Sequence, residues 1–270
     1  MYLCCAITNK GIRPHNEDAM LIHKTVLTDG VTEAQLGAPF LIGVADGVSG
    51  ERSGEMASQL CMEMLSTVQF NSRTDLDSKL MEIHQTLCER GTADDELRNM
   101  QTTLCAVGID ENDQIHTINV GDSRLYRYRS GILEQLSRDQ SLVQMLYEEG
   151  SISVEEKKVH AHRHIVMPVI GNLDAEPKPE VIVYPDGMRN GDMMLLCSDG
   201  LSDYVTAFEM EEVLAKPKPM PMRMQELVAL ALANGSRDNI TIAAAVHYPD
   251  AVTIPGMHDE APAHAEEPRT

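Results

Sequence analysis

The sequence predicts an α+β fold in which helices pack on antiparallel sheet. Two short apolar runs, in residues 40–47 and 193–200, carry no charge until each ends in Asp-Gly, and such runs are typical of buried strands. Two amphipathic helices follow the first run without a strand between them. Because strands and helices do not alternate strictly, helices laid on antiparallel sheet are favoured over a parallel α/β arrangement.

The remaining strands are predicted from short apolar or alternating segments bounded by turn residues. They cover residues 2–8, 19–22, 102–109, 114–120, 125–128, 132–136, 177–185 and 240–248. The polar turn at residues 110–113 joins two of these strands as a hairpin. We expect the following segments, up to residue 136, to continue that hairpin as an antiparallel meander.

Helices are predicted where apolar residues recur at intervals of three and four. They lie near residues 56–68, 76–87, 139–150, 209–214 and 221–233. Residues 151–171 are less regular and contain His160, His162 and His164. Three histidines on one side of a strand could bind a transition metal, but no Cys or fourth ligand is nearby, so a mobile surface segment is the better interpretation.

Composition narrows the classes of function. The 270 residues suffice for one large domain, and the net charge of −20 argues against a nucleic-acid partner. The chain has no Trp and only 4% aromatic residues, which argues against a surface for stacking bases. No apolar run reaches the roughly 18–20 residues that cross a membrane. Six cysteines without Cys-x-x-Cys spacing, and no signal peptide, indicate thiols in a cytoplasmic protein.

Acidic side chains stand at the ends of predicted strands that are far apart along the chain. They are Asp18, Asp46, Asp199 and Asp238, each beside Gly, Asn or Glu. A cluster of such hard oxygen ligands suits Mg²⁺ or Mn²⁺. Two such ions, about 3.5–4 Å apart, can hold a bridging water and direct it at a phosphorus centre. A single Asp-Gly dipeptide is common in proteins, so the site is indicated by the four aspartates together.

These residues belong to a series of short motifs. The series reads Gly11-Ile12-Arg13-Pro14-His15-Asn16-Glu17-Asp18, Val44-Ala45-Asp46-Gly47, Thr102-Thr103, Val120-Gly121-Asp122-Ser123-Arg124, Leu136-Ser137-Arg138-Asp139-Gln140-Ser141, Cys197-Ser198-Asp199-Gly200-Leu201-Ser202-Asp203 and Ser236-Arg237-Asp238-Asn239-Ile240-Thr241. In this order, the motifs resemble those of the metal-dependent protein phosphatases, the PPM-type or type 2C serine/threonine phosphatases. The resemblance spans residues 2–247 and indicates a bacterial-like, single-domain member.

The resemblance implies a four-layer αββα sandwich, in which two antiparallel sheets are flanked by helix pairs. It implies a phosphatase domain over residues 1–248, with a flap-like segment at residues 149–169. Residues 249–270 have little periodicity and are expected to be a disordered tail. The implied activity is Mn²⁺- or Mg²⁺-dependent hydrolysis of phosphoserine and phosphothreonine by a metal-bridging water. Phosphorylated proteins are the implied partners, and a cognate serine/threonine kinase is left open.

The resemblance also implies metal-binding roles for named residues. Asp46 would bridge both ions through its carboxylate, and the Gly47 carbonyl would bind one of them. Asp199 and Asp238 would hold one ion. Asp18 would anchor the surroundings of the metal site, either directly or through bound waters.

Arg13, Asp122 and Asp203 complete the implied site. The guanidinium of Arg13 would clamp the substrate phosphate, since its planar fork matches phosphate oxygens. Asp122 and Asp203 match the positions of a third metal, although a tight turn and a helix cap would explain them equally well. Many relatives carry a candidate general acid, His, directly after the Asp-Gly. Here Val48 stands at that position and cannot donate a proton.

Two other functions stay open. A non-catalytic module of the same fold could bind phosphoproteins, but loss of metal ligands is its usual mark and the ligands are intact. A hydrolase of small phosphoesters would share the site and differ only in surface contacts. No cysteine lies in a Cys-x5-Arg signature, which separates this chain from the cysteine phosphatases.

Overall fold

The computed structural model describes residues 1–48 and 52–248, so the predicted tail at 249–270 lies outside the described residues. Its strands are β1 (Tyr2–Asn9), β2 (Asp18–Ile22), β3 (Thr25–Leu27), β4 (Gly30–Leu36), β5 (Phe40–Asp46), β6 (Leu104–Ile109), β7 (Ile115–Val120), β8 (Arg124–Arg129), β9 (Ile132–Gln135), β10 (Glu180–Tyr184), β11 (Met193–Cys197) and β12 (Ile240–His247). The helices are α1 (Arg52–Thr67), α2 (Leu76–Ala93), α3 (Leu142–Glu148), α4 (Val154–Val159), α5 (Asp199–Ser202), α6 (Ala207–Leu214) and α7 (Met220–Ala233).

Two six-stranded antiparallel sheets form the centre of the described structure. The first has the strand order β4-β1-β12-β11-β8-β9, and the second has the order β10-β7-β6-β5-β2-β3. Helices α1 and α2 pack on the outer face of the second sheet, while α6 and α7 pack on the outer face of the first. The predicted α+β class and the four-layer αββα arrangement are therefore confirmed.

Strand β12 shows why the central strands are apolar on both faces. Its side chains alternate between two cores, since successive Cβ atoms of a strand point in opposite directions. Ala243 and Ala245 face the core between the sheets, whereas Ile242, Ala244 and Val246 face the helices. Both faces are thus removed from water, which explains the charge-free runs in the sequence.

The core between the sheets combines small and large side chains. The first sheet contributes several small residues, among them Cys4, Ala6, Ala243 and Ala245, together with Met194 and Leu196. The second contributes bulkier ones, including Met20, Phe40, Ile42, Val44, Val107 and Ile109. Opposing small and large residues let the two faces interlock at the density of a protein interior.

The predicted meander is wrong at one point. The β6–β7 hairpin forms as predicted, but β7 belongs to the second sheet and β8 to the first. The chain crosses between the sheets at Gly121, whose φ is +106°. A Cβ on that residue would lie 2.7 Å from Cγ2 of Thr103, so glycine is required for this close crossing.

Two regions contain structure that the sequence analysis missed. Strands β3 and β4 lie at sheet edges and are half-exposed, so their apolar pattern is weak. Helix α4 lies inside the segment interpreted as irregular. A capping box begins it, with Ser153 Oγ accepting from the Glu156 N–H at 3.2 Å and Glu156 Oε2 accepting from the Ser153 N–H at 2.8 Å. The Ser-x-x-Glu spacing was the available signal.

Among the described helices, none combines the length and apolar character that spanning a membrane requires.

Candidate active site

Carboxylates from separate elements converge at one end of the sandwich. Asp18 begins β2 and lies opposite Asp46, the last residue of β5, in the antiparallel register. Asp199 is the first residue of α5, directly after β11, and Asp238 precedes β12. A cavity of about 350 Å³, here called the acidic cavity, is lined by Asp46, Asp199 and Asp238. Its wall also includes Arg13, Glu17, Gly47, Val48, Thr103, Asp122, Arg163, His164, Val166, Tyr204 and Arg237.

Asp18 is not among the residues that line this cavity, but it pairs with Asp46 in the register of β2 and β5 and is 1% exposed. Its Oδ2 accepts hydrogen bonds from the hydroxyls of Ser198 at 2.8 Å and Thr241 at 2.6 Å. Its other oxygen, Oδ1, has no hydrogen-bond partner among the described residues. A buried carboxylate oxygen without a donor is costly. Its position beside Asp46 fits a cation, or a water that a cation binds.

The acidic side chains disturb each other's protonation. Burial raises the pKa of Asp46 well above its ordinary value, and the charges of Asp18 and Asp199 raise it further. Burial also raises the pKa of Asp18 to about 7, and that of Asp122 to about 7 with help from Asp139. Carboxylates that repel one another in this way are stabilised by a cation between them. Oxygen donors of this kind are those that Mg²⁺ and Mn²⁺ prefer, so the donor set fits the implied metals.

Gly47 allows the backbone to approach the start of α1. A Cβ on Gly47 would lie 2.3 Å from the carbonyl oxygen of Gly54, so any larger residue would displace α1. The Gly47 N–H donates to the Glu17 carbonyl at 3.1 Å, which links the end of β5 to the loop before β2. The contact with α1 and the hydrogen bond to Glu17 together hold the Gly47 backbone in place at the cavity wall.

The Thr102-Thr103 pair holds Asp46 in place. The Asp46 N–H donates to Thr103 Oγ1 at 3.1 Å, and the Thr103 N–H donates back to the Asp46 carbonyl at 2.8 Å. Thr102 Oγ1 donates to the same carbonyl at 3.0 Å. Ser123 shares a hydrogen bond of 2.9 Å with Thr103 Oγ1. These residues, like Ser198 and Thr241, lie within the sequence motifs, but no role was predicted for any of them.

Asn239 fixes the loop that carries Arg13. Its Oδ1 accepts from the Glu17 N–H at 2.8 Å, and its Nδ2 donates to the carbonyls of Lys10 and His15, both at 2.9 Å. Both ends of the loop are thus tied to one side chain. The exposed guanidinium of Arg13 then lies at the mouth of the acidic cavity.

Asp203 and His164 form a second group beside Asp199. One possible ligand atom from each of these three residues lies within 4.8 Å of the others. Asp122 lines the same acidic cavity. The disfavoured possibility of three histidines on one side of a strand is not realised, because His160 caps the end of α4 and residues 161–164 form turns. His160 and His162 contact each other, with ring centroids 5.6 Å apart, and only His164 lines the cavity.

Val48 follows Asp46-Gly47 at the wall of the acidic cavity, where many relatives carry a His. It is exposed and lines the acidic cavity, and its N–H donates to the Gln101 carbonyl at 2.9 Å. Its isopropyl side chain offers no proton.

Comparison with known proteins extends over most of this chain. A family model described as Protein phosphatase 2C matches residues 22–237. The serine/threonine phosphatase Stp of Listeria monocytogenes is 33% identical over 245 residues, which cover 87% of this chain and 92% of that protein. The crystal structure of the Mycobacterium tuberculosis serine/threonine phosphatase PstP has a TM-score of 0.76 at 31% identity, covering 92% of this chain and 100% of that chain.

A structure of the PstP catalytic domain in complex with two manganese ions is also similar. Its TM-score is 0.72 at 30% identity, and the match covers 91% of this chain and 99% of that one. The motif order, the sandwich and these similarities agree with one another. The chain therefore belongs to the protein phosphatase 2C family, among its bacterial PPM-type serine/threonine phosphatases.

Proposed function

We propose that this protein hydrolyses phosphoserine and phosphothreonine in proteins, and that it depends on Mn²⁺ or Mg²⁺. The observation that carries the proposal is the convergence of Asp46, Asp199 and Asp238 at one cavity that Arg13 also lines. Asp18 lies beside Asp46 on the neighbouring strand. Relatives named serine/threonine phosphatases support the substrate class. The manganese complex of PstP supports the metal.

The residues that would hold two ions are those of the acidic cavity. Asp46 faces the carboxylates of Asp18 and Asp199 and is suited to bridge, while Asp199 and Asp238 supply further oxygens. The Gly47 carbonyl would complete the set, and Asp122 with Asp203 would serve a third ion. When bound, such ions supply a water of lowered pKa and neutralise charge on the phosphoryl group.

Arg13 binds and orients the phosphate. Its Nη2 donates to Asp238 Oδ2 at 2.9 Å, and the side chains of Arg13 and Asp238 are 49% and 35% exposed, respectively. An exposed ion pair contributes little to stability, so phosphate oxygens can replace the carboxylate. The guanidinium fork then holds two oxygens of the substrate and fixes the direction from which phosphorus is attacked.

The leaving serine oxygen needs a proton, and Val48 cannot supply it. Among the described residues that line the acidic cavity, His164 carries the one imidazole. We assign it as the side chain that can donate this proton or position a water that does so.

Cytoplasmic location remains part of the proposal. All six cysteines fall within the described residues, and they are free thiols, five of them buried. Such thiols persist in a reducing compartment. We also propose residues 1–248 as the catalytic domain, with residues 149–169 as a flap beside the cavity. A cognate kinase remains a prediction from the resemblance.

A metal titration of phosphopeptide hydrolysis tests the proposed function. Activity on a phosphoserine peptide should rise with added Mn²⁺, saturate, and disappear when a chelator is added. A non-catalytic module would bind the peptide without turnover. A hydrolase of small phosphoesters would show a much higher kcat/KM on small esters than on phosphopeptides, so both substrates should be compared at saturating metal.

A further inference from the structure

A second and larger cavity adjoins the acidic cavity. It measures about 650 Å³, within the range of about 300–1,000 Å³ that ligand sites commonly have. It lies between the flap segment (residues 149–169) and the body of the first sheet, and we call it the flap cavity. Asp122, Asp199, Arg163 and Tyr204 line both cavities, so the two are continuous.

The flap segment supplies cations to this cavity. Lys157, Lys158 and Arg163 all line it. Lys157 is engaged, since its Nζ donates to Asp139 Oδ2 at 3.2 Å and also to Gln144 Oε1. Within residues 1–48 and 52–248, neither Lys158 nor Arg163 lies within 4.0 Å of a carboxylate oxygen. Two cations on one wall are therefore available to a ligand.

The carboxylates of the flap cavity either are paired with a cation of the protein or lie at the end next to the acidic cavity. Asp139 is 5% exposed and accepts from Arg124 Nε at 2.9 Å and Nη2 at 2.8 Å. Asp122, Asp199 and Asp203 lie at the end shared with, or next to, the acidic cavity, where the proposed ions would offset them. Lys158 and Arg163 therefore form a positively charged wall of the cavity, although the net charge of the chain is −20.

Lys157 also anchors the backbone that carries the other two cations. By joining Asp139, it ties α4 to the loop before α3, and Arg124 ties the same carboxylate to β8. Lys158 is the next residue on α4 and Arg163 follows in the turn after it. Apolar side chains of Val143, Val154 and Val205 line the cavity beside them. A bound chain would therefore meet two cations, carried by an anchored helix and the turn after it, beside apolar surface.

We propose that the flap cavity binds the substrate polypeptide next to the phosphorylated residue and selects an acidic side chain there through Lys158 and Arg163. This inference rests on the proposed function, since the flap cavity shares its wall with the acidic cavity in which the substrate phosphate would be held. Two unpaired cations favour a carboxylate over an amide of the same shape. Electrostatic complementarity of this kind governs specificity more than overall affinity.

A matched set of phosphopeptides tests the inference. One phosphoserine sequence is prepared with Glu or Gln two residues before, and in a second pair two residues after, the phosphorylated residue. The kcat/KM values are measured with Mn²⁺ for wild type, Lys158→Gln and Lys158→Gln/Arg163→Gln. Lys178→Gln is the control, because Lys178 is exposed and lies outside both cavities. Hydrolysis of p-nitrophenyl phosphate, which has no flanking residues, reports on the acidic cavity alone.

We expect wild type to prefer the Glu peptide of one pair by about fivefold, the upper range for one exposed ion pair. The preference should fall to about half in Lys158→Gln, vanish in the double variant, persist in Lys178→Gln, and weaken at high salt. Lys158→Gln should hydrolyse p-nitrophenyl phosphate like wild type, which shows that it is folded.

Equal kcat/KM values for Glu and Gln peptides in wild type would overturn the inference, as would a preference that survives in the double variant. In both cases Mn²⁺-dependent hydrolysis would persist and the proposed function would stand. If no substrate is hydrolysed with Mn²⁺, the proposed function fails, and this inference fails with it.

Discussion

Arg13 donates from Nη2 to Oδ2 of Asp238 at 2.9 Å, so the residue proposed to hold phosphate is paired with a carboxylate proposed to hold metal. The Arg13 Nε also donates to the carbonyl of Arg237 at 2.9 Å. These contacts hold the guanidinium at the cavity mouth before substrate arrives. Because Asp238 raises the pKa of Arg13, the charge is secure at every working pH.

Arg13→Ala should therefore weaken phosphate binding. We expect KM for a phosphoserine peptide to rise by about tenfold or more, because charge-assisted hydrogen bonds contribute about 1.5–3 kcal/mol. The KM of Arg13→Lys should lie between those of wild type and Arg13→Ala, since lysine keeps the charge but lacks the planar guanidinium fork. Michaelis curves at saturating Mn²⁺ measure both effects. Arg73→Ala, which alters an exposed arginine elsewhere, is the control. Unchanged KM and kcat in Arg13→Ala would remove Arg13 from the site.

Asp46→Asn should abolish Mn²⁺-dependent turnover without unfolding the protein. The carboxylate that faces the other acidic groups is lost, and several kcal/mol of charge stabilisation correspond to about a hundredfold or more in rate. Far-UV circular dichroism should stay unchanged. Asp29→Asn, a matched change at an exposed site, should keep full activity. Wild-type turnover in Asp46→Asn would contradict the metal assignment.

The central strands were predictable because both of their faces are buried. Phe40 and Ile42 face one core and Leu41 faces the other, so the whole run is apolar and recognisable. The edge strand β4 pairs only with β1 and keeps exposed polar side chains, which hide its period. The change of sheet at Gly121 depends on packing against Thr103, a contact remote along the chain.

The candidate site was predictable at its carboxylates and not at the groups that hold them. Asp18 and Asp46 stood out because each ends or begins a strand in a recognisable motif. The hydroxyls of Ser198 and Thr241 are common in any sequence, and only the register of neighbouring strands brings them to Asp18. The flap cavity likewise depends on the ion pair between Lys157 and Asp139, which sequence spacing does not show.

Thr241→Val should weaken both stability and metal binding. It removes a 2.6 Å hydrogen bond to Asp18 and leaves a buried oxygen with one donor fewer. The free energy of unfolding should drop by about 1–3 kcal/mol, and the Mn²⁺ concentration for half-maximal activity should rise by about tenfold. Urea unfolding and a metal titration measure these changes. Thr92→Val, on the exposed side of α2, should change neither, and an unaltered titration in Thr241→Val would show that Asp18 needs no such support.

His164→Gln should slow substrates according to their leaving group. A phosphoserine peptide releases a poor alkoxide and should lose about a hundredfold in kcat, the lower range for general acid catalysis. For p-nitrophenyl phosphate, whose leaving group needs no proton, kcat should barely change. Val48→His in the same background should restore much of the loss, because residue 48 lines the same cavity. Equal losses on both substrates would instead indicate that His164 holds a metal beside Asp199 and Asp203.

The metal-free protein should become less stable as pH rises. Burial raises the folded pKa of Asp18 to about 7, whereas an unfolded aspartate titrates near 3.9. Between these values the folded state binds more protons, so its stability is full below the unfolded pKa and is lost as pH rises through the folded pKa.

In chelator, the urea-derived free energy of unfolding should therefore be higher at pH 5 than at pH 8, by about 2 kcal/mol or more. Asp18→Asn should flatten this slope, because the amide does not titrate. Saturating Mn²⁺ should raise stability most at pH 8, where the carboxylates are charged and repel each other. A metal-free protein that is more stable at pH 8 than at pH 5 would show that these carboxylates are not crowded as the structure places them.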